Sequence, residues 1–265
     1  MGLTLLVSSL NKDVNKMIED MHLDSDAIIV NQCDTDSFEE REYNSHKVKV
    51  ICSKSRGVGV NRNMCIDEAY GDYVLFCDDD IVYDDGYEKK VVDEFTSHPE
   101  ADMIMFNFNV CEERRTYYNT EYKKLGRYNI GRYPAYSIAV KTDVLKEKGL
   151  KYSTLFGGGA KYSNGEDSIF LKDAYDKKVA MYASPVLLGS ETPSESTWFS
   201  GFNEKFFFDR GVLFAFLYGK SAWLWRLRFI LVKKDMFKGE IDRKNANRLM
   251  KDGIREGYRL LQENN

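Results

Sequence analysis

Three consecutive carboxylates, Asp78-Asp79-Asp80, follow the apolar run Tyr73-Val-Leu-Phe-Cys77 and are themselves followed by Ile81-Val82-Tyr83. Strand-forming residues on both sides point to a buried strand whose carboxyl end carries the acids into a cleft. Oxygen donors crowded this closely suit a hard divalent cation, and a cation makes them tolerable side by side. In an extended segment positions i and i+2 share a face. Asp78 and Asp80 are therefore the pair expected to reach one ion, with Asp79 turned elsewhere or towards a sugar or ribose hydroxyl. Mg2+ or Mn2+ held by one or two carboxylates completes its shell with water and phosphate oxygens, which implies a phosphorylated substrate.

A second acidic pair, Glu166-Asp167, comes directly after Gly157-Gly158-Gly159 and the turn Asn164-Gly165. Acids at a helix start complement its dipole. A carboxylate in a closed apolar site can also have its pKa raised and serve as general base on an acceptor hydroxyl. A third segment, Arg56-Gly-Val-Gly-Val-Asn61-Arg62-Asn63, leads into a helix. Its glycines let backbone N–H groups approach a phosphate, although the Gly-Lys-Ser/Thr ending of a P-loop is absent.

The elements that must position these groups are legible as alternating patterns. Residues 3–8, 27–30, 48–52 and 73–77 read as strands, and residues 14–21, 60–70 and 87–97 as helices with apolar positions three and four apart. That alternation predicts βαβ units and a mainly parallel sheet covered on both faces, with ligands beyond the carboxyl ends of the strands. The polar turn Asn31-Gln-Cys-Asp34-Thr-Asp36 reaches the same edge as the Asp triplet. Further on, 103–110 reads as a strand, 117–136 has no resolvable element, 166–177 reads as a helix and 179–188 as a strand.

The segments 57–63 and 72–80, with Glu166-Asp167 behind them, resemble family 2 of the inverting glycosyltransferases over residues 3–190. Its members pair a Gly-Leu-Ser-x-Ala-Arg-Asn-like segment with an Asp-x-Asp motif and a later Glu-Asp. The resemblance implies a GT-A type, Rossmann-like open α/β sheet and transfer of a sugar from a nucleoside diphosphate donor, with inversion, to an acceptor hydroxyl. It implies a donor, expected to be a UDP-sugar, against Ser8, Asn31, Asp34, Asp36, Arg62, Asn63, Asp78 and Asp79. It further implies Mn2+ or Mg2+ on Asp78 and Asp80, and catalysis by Asp167 with Glu166. Two departures stand out. Many members carry an acidic pair where this chain has Asn31-Gln32, and a histidine where it has Ser190-Glu191-Thr192; Glu191 is the candidate third metal ligand.

Bulk properties set the frame. The chain has 265 residues and a net charge of −4, which gives no overall pull towards nucleic acid. From Lys205 onward it carries a surplus of +7, leaving −11 for the rest, so a basic tail follows an acidic body. We expect a catalytic domain over 1–197, with a nucleotide-sugar half (1–110) and an acceptor half (111–197), and a helical, aromatic and basic extension over 198–265. No apolar run there approaches the roughly 20 residues that span a bilayer. Ala222-Trp-Leu-Trp-Arg226-Leu-Arg228-Phe-Ile-Leu-Val-Lys-Lys234 suits a helix lying in the interface of an anionic membrane, and 247–261 an amphipathic helix. Similar bacterial enzymes glycosylate lipid-linked intermediates of surface polysaccharides, which implies a peripheral protein on the cytoplasmic face of the cell membrane. The five scattered cysteines and the absence of a signal-peptide pattern fit that compartment.

Rival readings lack their marks. A sugar-phosphate nucleotidyltransferase would show a glycine-rich basic loop after the first strand, where Ser8-Ser-Leu-Asn-Lys-Asp13 stands. A phosphatase with an Asp nucleophile would show Thr at position 82, which is Val82. A non-catalytic membrane-associated partner of the same fold has no need of two acidic sites.

Overall fold

The computed structural model describes residues 1–192, 201–237 and 241–263. The first half runs β1 (Leu3–Leu10), α1 (Val14–Asp20), β2 (Asp26–Gln32), β3 (Ser37–Tyr43), β4 (His46–Ser53), α2 (Val58–Glu68), β5 (Tyr73–Asp78), β6 (Ile81–Tyr83), α3 (Tyr87–Ser97) and β7 (Met103–Asn109). The second half adds β8 (Lys123–Lys124), β9 (Ile138–Lys141), α4 (Thr142–Glu147), α5 (Glu166–Asp176) and β10 (Met181–Glu191). Three helices follow: α6 (Glu204–Tyr218), α7 (Ala222–Val232) and α8 (Arg243–Glu263). The expected boundary at 197/198, and Trp198 with it, lies outside the described residues.

The strands form one mixed sheet of order β3-β4-β2-β1-β5-β9-β7-β10-β6, with β8 on β10. The run β4-β2-β1-β5 is parallel throughout, as the βαβ pattern predicts. Strand β9 enters antiparallel between β5 and β7, and β10 returns parallel to β7. Period-two alternation along β1 divides the core. Leu3, Leu5 and Val7 face Met17 and Ile18 of α1 and Phe95 of α3, whereas Leu6 faces Cys65 and Ile66 of α2 and Phe170 of α5. With both faces covered, ligands have access to the parallel strands only at their ends. All five cysteines are free.

The charged strand β3 was not expected. It pairs antiparallel with β4 through a turn whose Asn44 and Ser45 take φ of 47° and 67°. That left-handed pair matches the twist of a tight hairpin, and the charges on β3 blunt the sheet edge against association.

The C-terminal helices meet the sheet domain through the 155–165 loop. Phe156 and Tyr162 pack with Val212, Leu213 and Leu260, and Asp209 accepts hydrogen bonds from Ser163 N (2.9 Å) and Oγ (2.7 Å). Helices α6 and α8 cross at backbone contact: a Cβ on Gly253 would lie 2.1 Å from the Phe208 carbonyl oxygen, and one on Gly211 2.2 Å from that of Met250. Gly253→Ala forces the helices apart. Overpacking of about 1–3 kcal/mol exceeds the helix-propensity gain of about 1 kcal/mol. We expect a lower thermal midpoint in calorimetry; an unchanged or higher one would contradict the close crossing.

Candidate active site

The carboxyl ends of β1, β5 and β10 open onto a cavity of about 550 Å³, closed by the start of α2, the start of α5 and the loops around Arg114, Pro134 and Gly158. Strand β1 contributes Ser8, which pairs in register with Asp78 of β5. The chain turns at Asp79-Asp80 before β6, so the acids do not continue the strand and the expected i, i+2 alternation does not apply. All three still line the cavity, because the turn folds over its rim. Asp79 accepts a hydrogen bond from Leu10 N (3.3 Å) and lies 3.4 Å from Lys12 Nζ, which ties it to the exit of β1.

Arg62 stands at the centre. It sits on the first turns of α2, is buried, and reaches both acid groups: Nη2 donates to Asp78 Oδ1 (2.9 Å), and Nη1 donates to Asp167 Oδ1 (2.8 Å) and, at 3.5 Å, to Glu166 Oε1. Its guanidinium lies 5.0 Å from the Tyr152 ring centroid, and that ring stacks on Phe170. Asn63, one residue on, donates through Nδ2 to Tyr152 O and accepts from Tyr152 N through Oδ1. The amide therefore fixes the aromatic support beneath Arg62 and does not face the cavity.

Asp167 is held from two sides, since its Oδ2 accepts from Ala135 N (3.2 Å). Glu166 turns back to accept from Gly165 N (3.0 Å), the capping contact that acids at a helix start offer. Glycines shape this corner. At Gly157 (φ +105°) a Cβ would meet Val58 at 2.5 Å and Glu166 at 2.9 Å, while Val58 N donates to Gly158 O.

Electrostatically the site is crowded. Burial, then the charges of Asp78, Glu191 and Asp79, lifts Asp80 to about 6. Burial also raises Asp79, against the pull of Lys12, and Glu191, against that of Arg114. Burial pushes Asp167 up to about 7, with the Arg62 charge opposing it. Burial disfavours the Arg62 charge, but Asp167 and Asp78 outweigh it and keep the guanidinium protonated.

Among the described residues no three His, Cys, Asp or Glu side chains converge as a ready-made metal cage. The donor chemistry nevertheless fits a hard divalent ion that finishes its shell with water and phosphate oxygens. Six carboxylates line one cavity, four of them raised towards neutrality, and a cation would relieve that strain. Glu191 is paired with Arg114 (2.6 Å), so it would have to exchange that partner to become a ligand.

The expected residues do not all converge. Ser8, Arg62, Asp78, Asp79, Asp80, Glu166, Asp167 and Glu191 line the cavity; Asn31, Asp34, Asp36 and Asn63 do not. Asn31 spends its amide on the turn after β1, accepting from Lys12 N and donating to Lys12 O. Asp34 pairs with Arg56, and Asp36 accepts from Lys54 N. Gln32, next to Asn31, faces the cavity instead. Lys12, Asn61, Arg114, Thr116 and Tyr136 join it there unforeseen. Buried Arg62 Nε and Asn61 Oδ1 have no hydrogen-bond partner among the described residues.

Residues 7–146 match the family model described as Glycosyl transferase family 2. The S. aureus TarS 1–349 structure in complex with UDP-GlcNAc superposes with a TM-score of 0.60 at 14% identity, covering 98% of this chain and 73% of that one. The same protein with UDP gives 0.59 at 14% identity, covering 98% and 72%. The mannosyltransferase PcManGT from Pyrobaculum calidifontis, in complex with GDP-Man and Mn2+, gives 0.51 at 11% identity, covering 97% and 69%. No functionally curated protein matches the chain. At these identities the structural likenesses speak for the GT-A type fold.

Proposed function

Because this chain belongs to glycosyl transferase family 2 and is therefore a glycosyltransferase, we propose that it transfers a sugar, with inversion and metal dependence, from a UDP-sugar to a hydroxyl of a lipid-linked glycan. The observation that carries the reading is Arg62, one buried guanidinium joining Asp78 on the donor side to Asp167 on the acceptor side. Asp167 takes the proton of the acceptor hydroxyl while that oxygen forms its bond to the anomeric carbon. The bond from that carbon to the diphosphate breaks, and the nucleoside diphosphate leaves with the electron pair. Base removal on one face and departure from the other invert the centre.

Asp78 and Asp80, with Glu191 after release from Arg114, are the residues that would hold Mn2+ or Mg2+. When bound, such an ion neutralises charge developing on the leaving diphosphate. Lys12 and Arg114 offer cations on two sides of the same cavity for the phosphates. Gln32 donates through Nε2 to Gly57 O (3.0 Å), and the oxygen and second N–H of its amide are suited to a neutral base edge. The basic C-terminal segment supports an acceptor presented at an anionic surface, on the cytoplasmic face of the cell membrane.

A panel of nucleotide sugars, with and without Mn2+, read by thermal shift tests this directly. UDP-sugars are expected to raise the midpoint only with the metal; no stabilisation by any nucleotide sugar would refute the reading. Asp80→Ala should erase the metal-dependent part of the shift. It should also cost at least about a hundred-fold in transfer, since several kcal/mol of charge stabilisation depend on the ion. Unchanged metal dependence would remove Asp80 from that role.

A further inference from the structure

Helix α7 is apolar on two faces, and among the described residues only one of them is packed against the rest of the chain. Ala222, Trp225, Phe229 and Ile230 turn inward, packing with Phe214 of α6 and with Met250 and Ile254 of α8. Arg226 turns inward as well, donating to the carbonyl and side-chain oxygens of Asn247. The other arc exposes Trp223 (51%), Leu224 (50%), Leu227 (40%) and Leu231 (62%) along a single stripe, with Val232 (58%) at its end. Positions 223, 227 and 231 repeat every four residues, so they line one face of the helix. Single exposed apolar side chains are ordinary, but a continuous row of them is not.

The rim of this stripe is basic. Lys220 precedes α7, Arg228 lies within it and Lys233 follows it, all exposed, and α7 carries no carboxylate. Trp225 stacks on Tyr218 and on exposed Tyr128, which Arg127 and Arg132 flank in sequence. The segment beyond Tyr128 supplies Pro134 and Tyr136 to the cavity and Ala135 N to Asp167. The stripe is thus joined to the acceptor side of the active site by one short stretch of chain.

We propose that the Trp223–Leu227–Leu231 face of α7 docks into the interface of an anionic bilayer, orienting the cavity towards an acceptor held in that membrane. This deepens the lipid-linked acceptor reading and rests on it for its purpose, not for its physics. A row of Leu with an edge Trp, bordered by Lys and Arg and free of acids, is the composition that partitions into negatively charged headgroups. A second copy of the chain is a poorer occupant. A two-fold contact through this face would set Lys220, Arg228 and Lys233 against themselves.

Co-sedimentation of the full chain with phosphatidylglycerol–phosphatidylcholine vesicles, against pure phosphatidylcholine, tests the face. Binding to the anionic vesicles and not to the neutral ones is expected. Leu227→Glu with Leu231→Glu should lower binding at least ten-fold, and Lys220→Glu with Arg228→Glu by about five-fold for each cation lost. Arg226→Gln, on the inward face, should bind as the parent does. Because Leu227, Leu231, Lys220 and Arg228 are exposed, the thermal midpoint and donor-induced shift of those two variants should remain unaltered, which separates this test from that of the donor assignment. Wild-type failure to bind, equal binding to neutral vesicles, or undiminished binding of the leucine variant overturns the proposal. So does a parent dimer in light scattering that the leucine variant abolishes.

Discussion

Asp167→Asn lowers transfer by about a thousand-fold, the middle of the range for a lost general base, while donor affinity stays within a few-fold. Asparagine keeps the shape and can still accept from Ala135 N, the contact that fixes Asp167 Oδ2 in the parent. It cannot take a proton from the acceptor. Arg62 retains Asp78 and Glu166, so the donor side keeps its geometry. The pH profile separates this role from a structural one. Burial has pushed Asp167 up to about 7, and a base must be unprotonated to work, so the parent's kcat/KM should climb as pH rises through that value. The variant's residual rate should lack that limb. A variant with the same limb, or with full activity, would remove Asp167 as the base.

Arg62→Met should be the most destabilising single change at this site. Arg62 is only 5% exposed and holds three carboxylates at once, two of them at 2.8 and 2.9 Å. Methionine fills much of the volume but leaves the acids facing one another. Breaking a buried pair costs about 3–5 kcal/mol, and because Asp78 and Asp167 retain some access to water the lower end is expected. The loss depends on pH in a definite direction. Asp167 already has a folded pKa raised above its unfolded value, and without Arg62 it rises further. The folded state then binds more protons than the unfolded one, so stability falls as pH increases through that window. The gap between variant and parent in denaturant midpoint should be narrow near pH 5 and wide near pH 8. A gap that closes with rising pH would mean that Arg62 does not serve to neutralise these carboxylates.

Much of the fold was legible because strands buried on both faces are continuous apolar runs. Residues 3–8, 27–30, 48–52 and 73–77 all lie inside strands of the sheet. Strand β3 escaped because its residues are mostly charged and exposed; what makes it a strand is its partner β4, not its own burial. Strands β6 and β9, three and four residues long, are too short for any period to show. The Asp triplet and Glu166-Asp167 were legible as chemistry, since like charges cannot gather without cause. Asn31 and Asn63 were misleading for a physical reason. An amide suits a ligand or a backbone clamp equally well, and only the fold shows that both clamp backbone. Side chains at successive strand positions point to opposite faces, and it is Gln32, not Asn31, that lines the cavity. In the tail, 222–234 was legible as a basic aromatic helix. Its division into an inward arc with Trp225 and Arg226 and an outward arc with Trp223 and Leu227 needed the neighbouring helices.

The loop that ends in Gly165 is gripped from behind. A Cβ at Gly165 would lie 2.4 Å from a Leu213 methyl carbon of α6, and Asp209 of the same helix anchors Ser163. Asp167 stands in the first turn of α5, two residues after that contact. The C-terminal helices are therefore not a detachable address label. They are part of the bench on which Asp167 is mounted, and whatever presses on α7 presses on the same foundation. An exchange of this segment for the tail of another transferase would disturb the setting of Asp167 along with the exposed face of α7, so the two features change together.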